Sequence, residues 1–364
     1  MIYIPILKNR KSEMQAISEI HNCLSDKIIP LFEIIDEKYQ DRFEVDPVTK
    51  ECVMEIKPGN KRKTKKKLPS TEADIVTLGE INKAISGKKA FIDYFRFSAD
   101  EYKTVKIDLQ KVQLALKCRI WDFYKTKLLK INEFTNFIPV ISIKNSFLPS
   151  QSELKDLVTL LKVNNISIAI RCELKFVDQY ISAFKLLREE DFILVDIREN
   201  SFDSQEIGLE DIEEVEAVAK LVLLNSPRKV GIKNTQYEEN DFTNLIDNSA
   251  LIKCKTYFEG IGDFGGLKDT LPEIQAGSNG MGSAISLLYF YQRNKFWSTR
   301  NIDTKQGMRG YKEVKKEILA NSKFFDPDND CLAMKAIKKL NNGTYSSWNY
   351  ITLLRYIHQN FKYM

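Results

Sequence analysis

Only two histidines, His21 and His358, occur in the 364 residues. Histidine-rich metal sites and chemistry that needs several imidazoles are therefore nearly excluded. The six cysteines (Cys23, Cys52, Cys118, Cys172, Cys254 and Cys331) are scattered, and no CxxC pair exists. A zinc ribbon or a dithiol redox motif is not expected. Several cysteines sit in apolar contexts, as reduced core thiols of a cytoplasmic protein do. No run reaches the roughly 18 apolar residues of a membrane-spanning helix. The start, MIYIPILKNRK, is too short and too polar for a signal peptide, and Pro5 interrupts its apolar run. The chain also lacks GxSxG, HExxH, a Ser-His-Asp candidate and the P-loop GxxxxGK[ST], which removes the hydrolase and nucleotidase templates built on them. The formal charge of +5 is too small for this length to declare a nucleic-acid partner.

What the chain does have is eight short apolar runs, each closed by a charged or amide residue and separated by helix-like stretches. They are YIPILK (Tyr3 to Lys8), IIPLFE (Ile28 to Glu33), AFIDYFR (Ala90 to Arg96), FIPVISIK (Phe137 to Lys144), ISIAIRCE (Ile166 to Glu173), FILVDIR (Phe192 to Arg198), LVLLNSPR (Leu221 to Arg228) and CKTYFEGIGD (Cys254 to Asp263). Buried parallel strands read as continuous apolar runs because helices cover the sheet. Eight of them predict an α/β fold, a TIM-like (β/α)8 barrel over residues 1–266. A barrel of roughly 250 residues fits this length with insertions and an appendage. The polar residue ending each run should lie at the C-terminal mouth, where barrel proteins place their chemistry.

Between the second and third runs, residues 36–69 form an insertion. FEVDPVTKECVMEI (Phe43 to Ile56) alternates around Asp46-Pro47 as a β-hairpin does. The basic run Lys61 to Lys67 reads as a solvated loop, or as a patch for nucleic acid or an acidic partner. Helices are expected over Ser12 to Cys23 and Thr71 to Ser86, and over SELKDLVTLLKV, VDQYISAFKLLRE and LEDIEEVEAVAKL. Another is expected over Asp100 to Asn132, with an apolar stripe of Leu109, Val112, Leu116 and Ile120. Residues 267–364 read as a C-terminal β-hairpin plus helical module. Its aromatic hairpin, Leu287 to Trp297, could be a stacking platform for bases, but core packing is the better reading.

Two sets of residues could carry chemistry. The strand-end acids Glu33, Asp93, Glu173 and Asp196 are the catalytic candidates. Converging oxygens would suit Mg²⁺ or Mn²⁺, or serve as a general acid and base. In the alternative reading each acid is paired with a strand-end base, for which Arg96, Lys144, Arg171 and Arg198 are at hand. The phosphate-binding candidates are Lys8, Arg171, Asn225 and Arg228 with Gly262, Gly265 and Gly266, supported by Ser226 and Lys268. Phosphate sites of such barrels are often built from the loops after the last two strands. Cys172 should point outward, away from Arg171, because adjacent strand residues face opposite ways.

YIPILKNRKSEMQAI, KIIPLFEI, the strand bearing Asp93, LLNSPR, EGIGDFGGLKD and GTYSSWNYITLLRYIHQNF occur here in an order that resembles the phage beta protein family, along the whole chain. The resemblance implies a phage–host conflict setting, such as antiviral defence, and a barrel architecture; it implies no reaction. Relatives are expected to carry a histidine pair near the last segment, where this chain has Ile357 and His358. The expected function is a defence component whose barrel mouth binds a phosphate-bearing ligand, a nucleotide or nucleic acid, with metal-dependent phosphodiester cleavage as its enzymatic form. The alternative is a non-catalytic sensor that recognises a phage molecule or a partner protein from the same operon.

Overall fold

The computed structural model describes every residue except 60, 99–105, 206, 207, 210, 211, 213, 214, 216, 217, 275–281 and 342. Its centre is a closed barrel of eight parallel strands: β1 (Ile2–Lys8), β2 (Leu31–Ile34), β5 (Ala90–Tyr94), β6 (Phe137–Ile143), β7 (Ala169–Glu173), β8 (Phe192–Asp196), β9 (Lys220–Asn225) and β11 (Gly260–Asp263). Each strand pairs with the next in chain order, and β11 returns to β1. All eight apolar runs contribute one strand. Their starts are displaced where the run leads in through other structure. Cys254–Thr256 is a 3₁₀ turn, so the eighth strand begins only at Gly260. Phe91 and Phe192 meet edge-on inside the barrel, 4.9 Å between ring centres.

Ser150 accepts from the Glu153 amide and Glu153 reaches back to Ser150, a reciprocal cap that starts the helix Gln151–Asn164. The expected long helix after β5 differs. Residues 100–105 lie outside the described residues, and the rest breaks into a 3₁₀ turn (Leu109–Val112) and helices Gln113–Lys117 and Trp121–Lys130. Ile120 caps the last of these in an extended conformation, so it and Leu109 are exposed, whereas Val112, Leu114 and Ala115 are buried. Of the helix expected over LEDIEEVEAVAKL, residues 210, 211, 213, 214, 216 and 217 lie outside the described residues and Lys220 and Leu221 belong to β9; AGSNGMG lies outside the described residues except for Gly282.

The basic run is not a loop throughout. Its β4 (Thr64–Lys65) pairs antiparallel with β3 (Met54–Glu55), and Phe43 bridges to Lys67. Lys66 and Lys67 are ion-paired to Glu44 and Asp41, which tethers the run to the hairpin beneath it. Asp46 closes that hairpin's turn by accepting from the Val48 and Thr49 amides.

In the tail, β12 (Ile285–Phe290) and β13 (Lys295–Arg300) form the expected hairpin, extended by β10 (Asp241–Phe242) from the connection before β11. Tyr289 and Phe296 are fully buried, and Phe296 stacks on Tyr356 of the C-terminal helix Tyr345–Tyr363, 5.4 Å apart. These aromatics are core. Thr344 caps that helix. Five cysteines are buried and Cys52 is partly exposed. Burial pushes the Cys118 and Cys254 thiols up to about 12, and a thiol reacts as its thiolate. A disulfide-exchange reagent is therefore expected to label one cysteine quickly in the native protein and six after denaturation. Fast labelling of two or more would contradict this packing.

Candidate functional site

Parallel register decides which strand-end side chains face inward. Lys8 pairs with Glu33, Glu33 with Asp93, Ser142 with Arg171, and Glu173 with Asp196. Paired residues of parallel strands share a face, so these seven side chains form one polar layer at the C-terminal end of the barrel interior. Cys172 faces the other way and is fully buried; burial pushes its thiol pKa up, as suits a core residue.

Arg171 sits at the centre of the layer. Its Nη1 donates to Glu33 Oε1 at 2.7 Å and Asp93 Oδ2 at 3.1 Å, and its Nε and Nη2 donate to Asp196 Oδ2 at 2.9 and 2.7 Å. Lys8 is ion-paired to Glu33 and, at 2.7 Å, to Asp269 Oδ1. Arg198 reaches Asp269 Oδ2 at 3.2 Å and Asp196 Oδ2 at 3.6 Å. Ser142 Oγ donates to Asp93 Oδ2 at 2.7 Å. Lys144 Nζ stands 3.9 Å from the centre of the Phe95 ring. Glu173 turns to Lys175, 3.1 Å away.

Burial raises the pKa of Asp93, and Arg171 only partly opposes it. Asp196 is equally buried, yet Arg171 and Arg198 outweigh that and hold it low. Asp269 is likewise held well below the usual carboxylate range, because Lys8 and then Arg198 overcome its burial. Arg171 stands where a divalent cation would need to sit between the acids. Among the described residues no group of three or more His, Cys, Asp or Glu side chains is arranged to hold a metal ion.

The structure therefore brings together Lys8, Glu33, Asp93, Arg171, Glu173 and Asp196, and it separates the remaining candidates from them. Asn225 faces outward and donates to the carbonyls of Arg198 and Asn200 at 3.2 and 2.9 Å. Arg228 is buried elsewhere, donating to Tyr237 Oη, the Gly266 carbonyl and Asn234 Oδ1. Ser226 contributes its amide to the Arg198 carbonyl at 2.7 Å. The glycines are packing positions in place of the expected phosphate cradle. A Cβ on Gly262 would meet Leu224 and the Ile4 carbonyl. Gly265 and Gly266 have positive φ, of 58° and 80°, and a Cβ there would strike Leu353 and Phe296 of the tail. The Gly265 amide is already given to Asp263 Oδ1. Gly260, Gly262 and Gly265 do have GxGxxG spacing, but the first two lie within β11 and no helix follows through residue 274, so no dinucleotide turn forms. Lys268 is pushed down to about 8 by burial and by Arg228; it donates to the carbonyls of Val230 and Ile232.

Two mouth residues were not legible as site residues. Arg198 was visible only as a partner base, and Asp269 lies in a loop without periodicity. The mouth is closed: its cavity, lined by Asp93, Lys144, Arg171, Glu173, Asp196 and Arg198 among others, measures about 10 Å³, room for roughly one water. A larger groove of about 720 Å³ lies on the barrel's flank, where Lys127 bridges Glu37 and Glu72. Lys130 also pairs with Glu72 there, and Tyr94, the last residue of β5, lines the groove from the outer face of the barrel.

No curated protein matches the chain. The family model described as Beta protein matches residues 3–227, from β1 through β9. That is more than half of the 364 residues, and the chain belongs to the Beta protein family.

Proposed function

We propose that the barrel mouth is a recognition site for a phosphate-bearing ligand and that the chain acts as a binding or sensor component of a phage–host conflict system. One observation carries this reading. Each inward-facing acid of the mouth has a basic partner, and Glu33, Asp93 and Asp196 all lean on the single guanidinium of Arg171. Acids neutralised in this way are poor metal ligands and poor bases, whereas the cations around them are preorganised for an anion. The barrel supplies rigidity, since every participating strand is locked by its neighbours on both sides. A nucleotide or nucleic-acid end would compete with these acids for Lys8, Arg171 and Arg198.

The test is titration of the full chain with inorganic phosphate, pyrophosphate and a mononucleotide by calorimetry, with and without EDTA. Saturable binding that ignores EDTA and weakens about tenfold or more in Arg198→Ala is expected, because removing a charge-assisted contact is worth roughly 1.5–3 kcal/mol. Mg²⁺- or Mn²⁺-dependent cleavage of a phosphodiester, lost in Asp93→Asn, would overturn this reading in favour of a metal-dependent phosphodiesterase.

A further inference from the structure

We infer that Asp269 is a built-in occupant of an anion subsite, and that a ligand phosphate takes its place between Lys8 and Arg198. This rests on the reading of the mouth given above and assigns it an atom-level seat. Asp269 is not a strand residue. It arrives from the loop after β11 and inserts its carboxylate into the mouth, where it is only 5% exposed. One oxygen lies 2.7 Å from Lys8 Nζ and the other 3.2 Å from Arg198 Nη2, the bridging geometry of a phosphate held by two cations.

Three features mark the seat as built for exchange. The first is Arg198 itself, a non-glycine residue at φ 56°. Such a conformation is costly and persists where the surroundings impose it, as they do in ligand clamps. Here the Ser226 amide and Asn225 fix its carbonyl, and Asp196 Oδ1 accepts its amide at 2.9 Å. The second is the charge left behind. When Asp269 withdraws, Lys8 keeps Glu33 and Arg198 keeps Asp196. Each cation stays paired and each gains one open direction, so the vacated place suits an oxyanion without creating a bare buried charge.

The third is how the loop is attached. Leu271 packs in a small cluster with Ile35, Phe95, Phe97, Val112 and Ala115, separate from the main core. Thr270 offers its carbonyl to Arg10, and Pro272 accepts from the Asp108 amide at 2.9 Å. A satellite cluster can open without disturbing the barrel. Beneath the seat, Asp93, 1% exposed, lines the small cavity, and its buried Oδ1 has no hydrogen-bond partner among the described residues. A ligand hydroxyl or water entering with the phosphate would satisfy it.

The experiment compares wild type, Asp269→Asn and Leu271→Ser as full-length chains, titrated with inorganic phosphate and pyrophosphate at low salt. Asp269→Asn removes the competing charge; Leu271→Ser loosens the loop and leaves every charged group in place. Both variants are expected to bind pyrophosphate about tenfold more tightly than wild type, as follows when a closed state no longer dilutes the competent one. If wild type binds in an Arg198-dependent way and neither folded variant binds more tightly, Asp269 is not an occupant, although the mouth remains a phosphate site. If no form binds either probe, the recognition reading fails together with this one. Should Asp269→Asn fail to fold, Leu271→Ser alone decides.

Discussion

Arg171→Met is expected to destabilise the chain by about 3–5 kcal/mol, the range for removing one partner of a buried ion pair. The size follows from what the guanidinium leaves behind. Glu33 retains Lys8 and Asp196 retains Arg198, whereas Asp93 is left with the Ser142 hydroxyl and the charge of Lys144. Asp93 is 1% exposed and its pKa is already raised by burial with Arg171 in place. Without Arg171 the buried carboxylate loses its largest opposing charge and is pushed further toward the protonated form. The sign with pH follows. An acid whose folded pKa lies above its unfolded value, about 3.9, favours folding below that value, and the contribution is lost as pH rises through the folded pKa. The variant should therefore be closest to wild type in acid and fall away toward neutrality. Urea midpoints at several pH values read this directly. Adding Asp93→Asn to Arg171→Met should recover part of the loss, with a coupling of roughly 0.5–3 kcal/mol. A loss under about 1 kcal/mol, with no pH trend, would mean that the acids do not depend on Arg171.

That network was partly visible in the sequence, and the visible part has a physical cause. A parallel strand buried on both faces must be apolar throughout, so its first polar residue marks the strand end. Glu33 and Asp196 are such residues, and Lys8 closes β1 in the same way; in β7 the first polar residue is Arg171, with Glu173 at the strand's last position. Alternation then fixes which neighbour faces in, which separates Arg171 from Cys172. Strand starts were less legible, because residues such as Ile28 and Ile166 are apolar yet precede the regular pairing. The expected stripe of Leu109 and Ile120 failed for a related reason: a 3.6-residue period was assumed across a break that only tertiary packing imposes. The cradle expected at Gly265, Gly266 and Arg228 rested on where barrels commonly bind phosphate. Here the same loop is filled by Phe296 and Leu353, which arrive from far along the chain and which no local pattern near residue 265 announces. Asp269 was hidden for the same cause, since its partners Lys8 and Arg198 are distant in sequence and its own segment is irregular.

Asp263→Ala is expected to have the second large effect, and it acts at the junction of barrel and tail. Asp263 ends β11 but faces outward, where its carboxylate accepts from Tyr3 Oη at 3.1 Å, Tyr356 Oη at 2.6 Å and the Gly265 amide at 2.8 Å. Tyr3 belongs to the first strand and Tyr356 to the last helix, and both are fully buried. One carboxylate thus satisfies three donors that water does not reach. Removing it leaves each unpaired, at about 1–3 kcal/mol apiece, so a loss of about 3 kcal/mol or more is expected in denaturant unfolding. The loss should be local first: the tail helix should become protease-sensitive before the barrel strands, since Tyr356 also stacks on Phe296 and Tyr289. Asp263→Asn tests the mechanism. Its amide can still accept, so the loss should be smaller than in the alanine variant. Burial raises the pKa of Asp263 despite the tyrosine bonds. In wild type this group therefore favours folding below the unfolded value of about 3.9 and loses that contribution as pH climbs through the folded value. The asparagine variant cannot ionise, so part of the wild-type decline between acid and neutral pH should be missing from its stability curve. Identical pH profiles for the two proteins, or a tail that stays protected in Asp263→Ala, would show that the carboxylate does not hold this junction.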